Sequence, residues 1–404
     1  MKNGWLTKDT LMRTPAIQNN KYDLSFRTTF EPFPGLRIDL NADRRFAENI
    51  SSYYTADGSG NFPDSTRNRI STGSFSISVI SWGTAFEKIT KSNNYVSETF
   101  EDFKKNTKII SSRRAGEREK VDASYNPEEN AEASYKSGYG STSREVLVPA
   151  FVAAYTKTSP EKVSLETFPS ALKMMPNWRI NFDGLSKFDF IQKTFRSITL
   201  THQYRSIYQI GSYATNLNYS VDGDGINSIR DLQDNFIQEY EIDAVTISEQ
   251  FSPLINVDMN WQNSLTTRFE WKKSRTVTLN LSSNQITDAR INEIVVGAGY
   301  RFDDVQIILN TQGRQKALKS DLNLRLDFSV RDNKTLIRKF IEDVNQPVSG
   351  AKVYTTGLTA DYVLSDRFKL QLFADYTTNN PFVATTYPTS NTNFGFSLEF
   401  TLAQ

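Results

Sequence analysis

The stretch Asp321-Leu322-Asn323-Leu324-Arg325-Leu326-Asp327-Phe328-Ser329-Val330-Arg331 decides the fold. Leu322, Leu324, Leu326, Phe328 and Val330 occupy alternate positions, and Asp321, Asn323, Arg325, Asp327, Ser329 and Arg331 fill the places between them. A helix would scatter the two sets around its circumference. A strand sends successive side chains to opposite sides and sorts them completely. This segment therefore reads as a strand with one apolar and one charged face.

The same sorting recurs outward from it. Leu36, Ile38, Leu40 and Ala42 alternate with Arg37, Asp39, Asn41 and Asp43, and Ile255, Val257, Met259 and Trp261 with Asn256, Asp258 and Asn260. Leu265, Phe269 and Trp271 oppose Thr266, Arg268 and Glu270, and Leu370, Leu372, Ala374 and Tyr376 oppose Lys369, Gln371 and Asp375. Near the C-terminus Phe394, Phe396, Leu398, Phe400 and Leu402 oppose Gly395, Ser397, Glu399 and Thr401. About thirteen strands follow, near 22–31, 36–46, 69–81, 195–206, 209–221, 250–261, 263–272, 274–284, 291–302, 319–331, 351–363, 367–378 and 392–402. Each holds roughly 9–12 residues, enough to cross a bilayer when tilted, whereas soluble strands average nearer 5–6.

The expected fold is all-β, an antiparallel transmembrane β-barrel, with strands in 1–83 and 194–404. Tight connections at 31–35, 272–274 and 364–367 would lie on the periplasmic side. Long ones at 46–68, 332–350 and 379–391, with short ones at 261–263 and 285–290, would lie outside. Arg37, Asp39, Asp43, Asp258, Arg268, Glu270, Arg325, Asp327, Asp375 and Glu399 would line the lumen. Phe394, Phe396, Leu398, Phe400 and Leu402 would face lipid and guide assembly. Both signs of charge on the lumen side suit a wide conduit that does not hold its cargo, whereas an ion-selective pore carries one sign.

Composition agrees. Hydrophobic residues reach only 38% but aromatics 12%, with 27 Phe and 18 Tyr, which disorder does not explain and one-sided sheets do. No apolar run approaches the length of a transmembrane helix. A net charge of +1 argues against a nucleic-acid partner. With no Cys and His202 alone, thiolate chemistry, Cys-ligated metal and two-histidine zinc sites are excluded, so no catalytic residue, metal or cofactor is expected. His202 falls on the apolar phase with Ile198, Leu200 and Tyr204, as in an aromatic girdle at a membrane interface.

Residues 84–193 break the alternation and read as a non-barrel insertion of helices and loops, periplasmic or in the pore. Val96, Phe100 and Phe103 fall at helical spacing, predicting a helix over 95–110. Arg113 to Lys120 reads as a solvated charge run, Glu128, Glu129 and Glu132 as a solvated face, and Pro149 as the opening of a short helix. Asp222-Gly223-Asp224-Gly225-Ile226-Asn227, with Asp231 beyond, departs from a calcium loop at positions 5 and 6 and reads as a turn.

An odd strand number and no leader in Met1-Lys2-Asn3-Gly4-Trp5 suggest further strands upstream. The strings from Val121 to Tyr135 and from Tyr139 to Arg144 resemble the C-terminal region of the SprA/Sov family. So do those from Pro176 to Leu185, from Thr199 to Ser206, and the closing Phe394-Gly395-Phe396-Ser397-Leu398-Glu399-Phe400. That family is the outer-membrane translocon of type IX secretion in Bacteroidetes. The resemblance implies a very large barrel that exports folded proteins bearing C-terminal secretion domains, gliding adhesins among them. It also implies a PorV-type shuttle barrel and a periplasmic plug protein as partners, beside outer-membrane lipid and the upstream part of the same barrel. No catalytic residue comes with it. The alternation alone also permits a ligand-uptake barrel of the TonB-dependent kind or a secreted β-rich adhesin.

Overall fold

The structure is a computed structural model describing residues 7–11, 14–61, 69–128, 134–223, 225–311, 314–365, 368–383 and 386–400. The deciding stretch lies inside β10 (Arg314–Lys339), which pairs antiparallel with β9 (Gln285–Thr311) and β11 (Val344–Ser365). Before them come β1 (Ala16–Phe33), β2 (Leu36–Ser52), β3 (Ile70–Ser78), β4 (Asn177–Phe182) and β5 (Phe195–Thr215). Next are the short β6 (Tyr240–Ile242), β7 (Ala244–Trp261) and β8 (Leu265–Asn280), and after them β12 (Phe368–Pro381) and β13 (Thr389–Phe400). All join one antiparallel sheet in the order β1-β2-β3-β5-β7-β8-β9-β10-β11-β12-β13.

The third place in that order is shared. β3 pairs with the Arg44–Ser51 half of β2, and β4 with its Leu36–Asn41 half. On the other side β3 meets Ile207–Ala214 of β5, and β4 meets Leu200–Tyr204. Thus β3 and β4 run in the same direction as two halves of one wall strand, and residues 79–176 leave and re-enter in mid-strand.

Several expected boundaries move. Lys272-Lys273-Ser274 is not a turn, because pairing runs unbroken from Leu265↔Tyr300 to Asn280↔Gln285. Its polar run reflects two different surroundings: Lys272 binds Glu270 at 2.9 Å, while Lys273 lies over the Phe86 ring on the opposite face. The separate strands 195–206 and 209–221 are one strand, β5. The loop expected at 332–350 shrinks to 340–343, because β10 and β11 continue with polar residues beyond their apolar part. The turn expected at 285–290 sits at 281–284. Without the false turn, the 262–264 connection lies at the same end as the 34–35 turn, not at the opposite one. We call this the near end. The 281–284 and 340–343 turns mark the far end.

Helices α1 (Glu98–Arg118) and α2 (Arg144–Thr156) form a second layer. Phe100, Phe103, Ile110, Leu147, Ala150 and Phe151 pack on Phe75, Ile77, Tyr208, Ile210, Val245, Ile247, Val277 and Leu279 of the far half of the sheet. The insertion is thus neither wholly outside the sheet, since it contains β4, nor hung from a strand end as counting turns implies. A short helix, α3 (Asp189–Gln192), leads from β4 into β5 at the near end. Pro149 lies inside α2 rather than at its start. Its missing N–H would free the carbonyl of Glu145, and the Arg114 Nε–H donates to that oxygen at 3.4 Å.

The charge run at 113–120 is not simply solvated. Arg113 donates to the carbonyls of Pro160 (2.5 Å) and Val163 (3.1 Å), Arg114 to that of Leu165, and Arg118 to that of Asn227 (2.7 Å). These guanidiniums satisfy loop carbonyls that no strand or helix pairs. Glu128 pairs with Lys136, and Glu129 and Glu132 lie outside the described residues. The Asp222–Asn227 segment closes as a turn through the Asp222 and Gly225 amides, with Asp224 outside the described residues.

Candidate functional site

Residues directly opposite one another in an antiparallel pair share a sheet face, so the registers assign each side chain. Following Leu324↔Ala360, Ala360↔Leu372 and Leu372↔Phe396 puts Phe394, Phe396, Leu398 and Phe400 on one face with Leu326, Phe328 and Val330. Leu402 lies outside the described residues. Following Asp327↔Gly297, Gly297↔Arg268 and Arg268↔Asp258 puts Arg325, Asp327, Arg268, Glu270 and Asp258 on the other face. Asp375 and Glu399 join them through Gly357 and Lys369. Arg37, Asp39 and Asp43 join them through β4 and β5. All the charged residues singled out from the sequence therefore share one side, and all the described apolar ones the other.

Part of the charged face is internally paired. Arg268 reaches Glu270 at 2.9 Å and Asp258 at 3.7 Å. Arg325 meets Asp327 at 2.7 Å, and Arg37 meets Asp39 at 3.1 Å while the Thr29 hydroxyl donates to Asp39 at 2.5 Å. Asn41 donates to Asp43 at 3.3 Å. Two glycines make room: a Cβ on Gly297 would stand 2.6 Å from Asp327 Oδ1, and one on Gly357 3.0 Å from Asp375 Oδ1. The sequence-derived set is rich in acids. Arg27, Arg45, Arg179, Arg205, Lys272 and Arg331 share the face and offset that excess. Arg331 already stands on the charged phase of the deciding stretch, Lys272 was hidden by the turn expected at 272–274, and opposite-sign residues at matching register positions would have exposed the others.

The apolar face carries a bounded band. On β10 it runs from Leu322 to Val330, nine residues, and a tilted spanning strand needs about 9–11. Beyond Val330 the same face turns polar at Asp332 and Lys334, opposite Asn292 and Arg290. Within the band large side chains stand exposed, Val296 and Leu326 by 48% and Phe396 by 74%. Aromatic pairs follow its near edge: Phe33–Phe182 (6.0 Å), Phe195–Trp261 (4.3 Å), Tyr300–Phe302 (4.6 Å) and Phe368–Phe400 (4.8 Å). A second group, Trp178, Tyr204, Phe251, Trp271, Tyr354 and Tyr376, stands toward its far edge.

His202 belongs to this second group, near the rings of Trp178 and Phe251. Its Nδ1 lies 2.6 Å from the carbonyl oxygen of Leu254, at a point where the β7 register shifts between Phe251 and Ile255. The ring thus serves a carbonyl freed by the irregular ladder.

The helical layer lies on the apolar face beyond the far edge of the band. It is fastened there by buried charge. Asp288, wholly buried, receives Arg275 at 3.2 Å and Arg290 at 2.8 Å. Those arginines, with Arg338, donate onward to the carbonyls of Thr84 (3.1 Å), Glu87 (2.9 Å) and Tyr95 (2.6 Å). Ser81, Tyr204 and Ser206 gather about the buried Glu249 beside them. No such anchoring is legible in the alternation, which puts Asp288, Arg290 and Arg338 in connections between strands. Among the described residues no cluster of three or more His, Asp or Glu side chains forms a metal site.

No protein-family model matches this chain. No curated protein matches it either. Among solved structures it is similar to OmpT (in-vitro folded), an outer membrane protein of Vibrio cholerae in its trimer form, at 8% identity and a TM-score of 0.24, over 96% of this chain and 99% of that one. It is also similar to the RagAB peptide transporter, at 9% identity and a TM-score of 0.27, over 94% of this chain and 40% of that one.

Proposed function

We propose that this chain is part of the wall of a protein-conducting outer-membrane channel, a type IX secretion translocon. The observation that carries the membrane reading is the aliphatic band, bordered by aromatics and of spanning length, set opposite a charge-balanced face. Outer-membrane barrels present such a band to lipid and a polar face to the lumen. A lumen carrying both signs of charge presents passing protein with no strong field of one sign. The narrower reading is supported by the long strings at 121–144, 176–185, 199–206 and 394–400 that resemble the SprA/Sov family. Its cargo would be folded proteins with C-terminal secretion domains, and its partners a PorV-type shuttle barrel and a periplasmic plug protein.

The chain contains no cysteine, so single introduced cysteines are unique probes. Cysteines at Glu293 and Asp327 should react with a membrane-impermeant maleimide in reconstituted bilayers, and ones at Val296 and Leu326 should not. Equal labelling of the two sets would overturn the membrane reading. For the narrower reading, depletion in a type IX-competent bacterium should strand secretion-domain cargo in the periplasm. Normal cargo export with loss of a nutrient-uptake phenotype would instead identify a ligand-uptake barrel.

A further inference from the structure

A cavity of about 440 Å³ opens between α2, the segment 158–175 and the apolar face of the sheet. Ile77, Val79, Val148, Val152, Val163 and Met175 give it an apolar lining. Lys162 and Lys173, both exposed, stand on its border with Glu166. Its volume falls in the range of small-ligand sites. Its place is as informative as its lining. The Met175 amide donates to the carbonyl of Ser78, the last residue of β3, so the cavity lies where the helical layer meets the far edge of the aliphatic band.

The surroundings at that border are apolar and largely exposed. Leu172 is 93% exposed, Trp82 54%, Phe86 49% and Met175 46%. Trp82 packs edge-on against Trp178, and Phe86 lies beneath the ammonium of Lys273. Aromatic side chains flanked by lysines are what membrane interfaces collect, the rings at headgroup depth and the ammonium groups toward phosphate.

We infer that this groove binds one acyl chain of an anionic phospholipid, with Lys162 and Lys173 holding its phosphate. The inference rests on the reading that the aliphatic face meets lipid. An apolar cleft continuous with that face is filled by a chain leaving the bilayer at little cost, because the chain moves from one hydrocarbon environment to another. The two lysines outnumber Glu166 and favour an anionic headgroup.

The test uses the full chain in detergent, with dimyristoyl phosphatidylglycerol or phosphatidylcholine added and retained lipid counted by native mass spectrometry. One phosphatidylglycerol should be retained per chain, in preference to phosphatidylcholine. Val152→Trp should fill the groove and abolish retention. Lys162→Glu with Lys173→Glu, both at exposed positions, should lower phosphatidylglycerol retention about tenfold with the fold intact. Equal retention of the two lipids by the wild type, or undiminished retention by folded Val152→Trp, would overturn the assignment. Failure of the cysteine pattern above would instead remove the lipid-facing reading itself, so the two failures are distinguishable.

Discussion

Asp288 and Asp327 are carboxylates of one sheet with opposite consequences. Asp288 is fully buried between Arg275 and Arg290; Asp327 pairs with Arg325 on an open face. Removing Asp288 strands two buried guanidiniums, so Asp288→Ala should destabilise the protein by roughly 3–5 kcal/mol. Asp327→Ala should cost no more than about 1 kcal/mol. Denaturant titration of both variants checks the contrast. Glu145, in the first turn of α2, behaves differently again. Burial raises its carboxyl above the ordinary value of 4.5, and nearby Arg114 and Arg118 only partly offset that. The folded state therefore binds this proton more tightly than the unfolded chain does. Its stabilisation is full below 4.5 and is lost as pH rises through the raised value. Amide exchange in α2 should accordingly quicken with pH beyond its intrinsic dependence, and Glu145→Gln should remove the excess. At this scale the sequence was legible wherever parity decided the side chain's direction. It was silent on Asp288, Arg275 and Arg290, whose partners come from residues 84–87, far away in the chain.

At the scale of elements, the informative one is the strand cut in two. The β3 end at Ser78 faces the Asp43 position of β2, and Asn177 pairs with Asn41. One residue opposite Ala42 would bridge them. Replacing residues 79–176 by a single-residue linker should leave a continuous strand and an intact sheet, while uncovering Ile77, Tyr208, Val245 and Val277. The expected outcome is retained heat-modifiable migration on electrophoresis with a strong rise in aggregation once detergent is diluted. Loss of the folded band would show that the helical layer is required for the sheet to form. The sequence could announce the insertion but not its entry point, because β3 is only nine residues long and ends without a proline or a glycine turn. Likewise the strands beyond Val330 and Ala351 looked like loops. Their apolar phase stops at the edge of the band, although the hydrogen-bond ladder goes on.

For the whole molecule, what matters is that within the band every charged side chain singled out above lies on the face opposite the aliphatic one, strand after strand. Phe396→Asp with Phe400→Asp places two charges on the exposed aliphatic face, 74% and 49% open, and should prevent stable insertion into bilayers, as flotation with liposomes would report. A channel built with this wall should also discriminate weakly between ions, with a reversal potential near zero across a potassium chloride gradient; strong cation selectivity would contradict the balanced face. This global sorting was the most legible property of all, since a period of two is a local rule that each strand obeys separately. The pairing of β3 with β4 into one place, and the seat of the helical layer, depend on contacts between distant segments that no local rule encodes.

The mid-strand exit of residues 79–176 has an architectural corollary. Barrels ordinarily acquire new modules at their rims, where every added loop competes for space with the mouth. Here the polypeptide leaves in mid-strand and returns to the same rung, so an entire folded unit is carried on the apolar face of the sheet rather than on an end turn. Ser78 and Asn177 therefore mark a lateral grafting port, a place to mount a foreign domain on the flank of the sheet without altering any end turn.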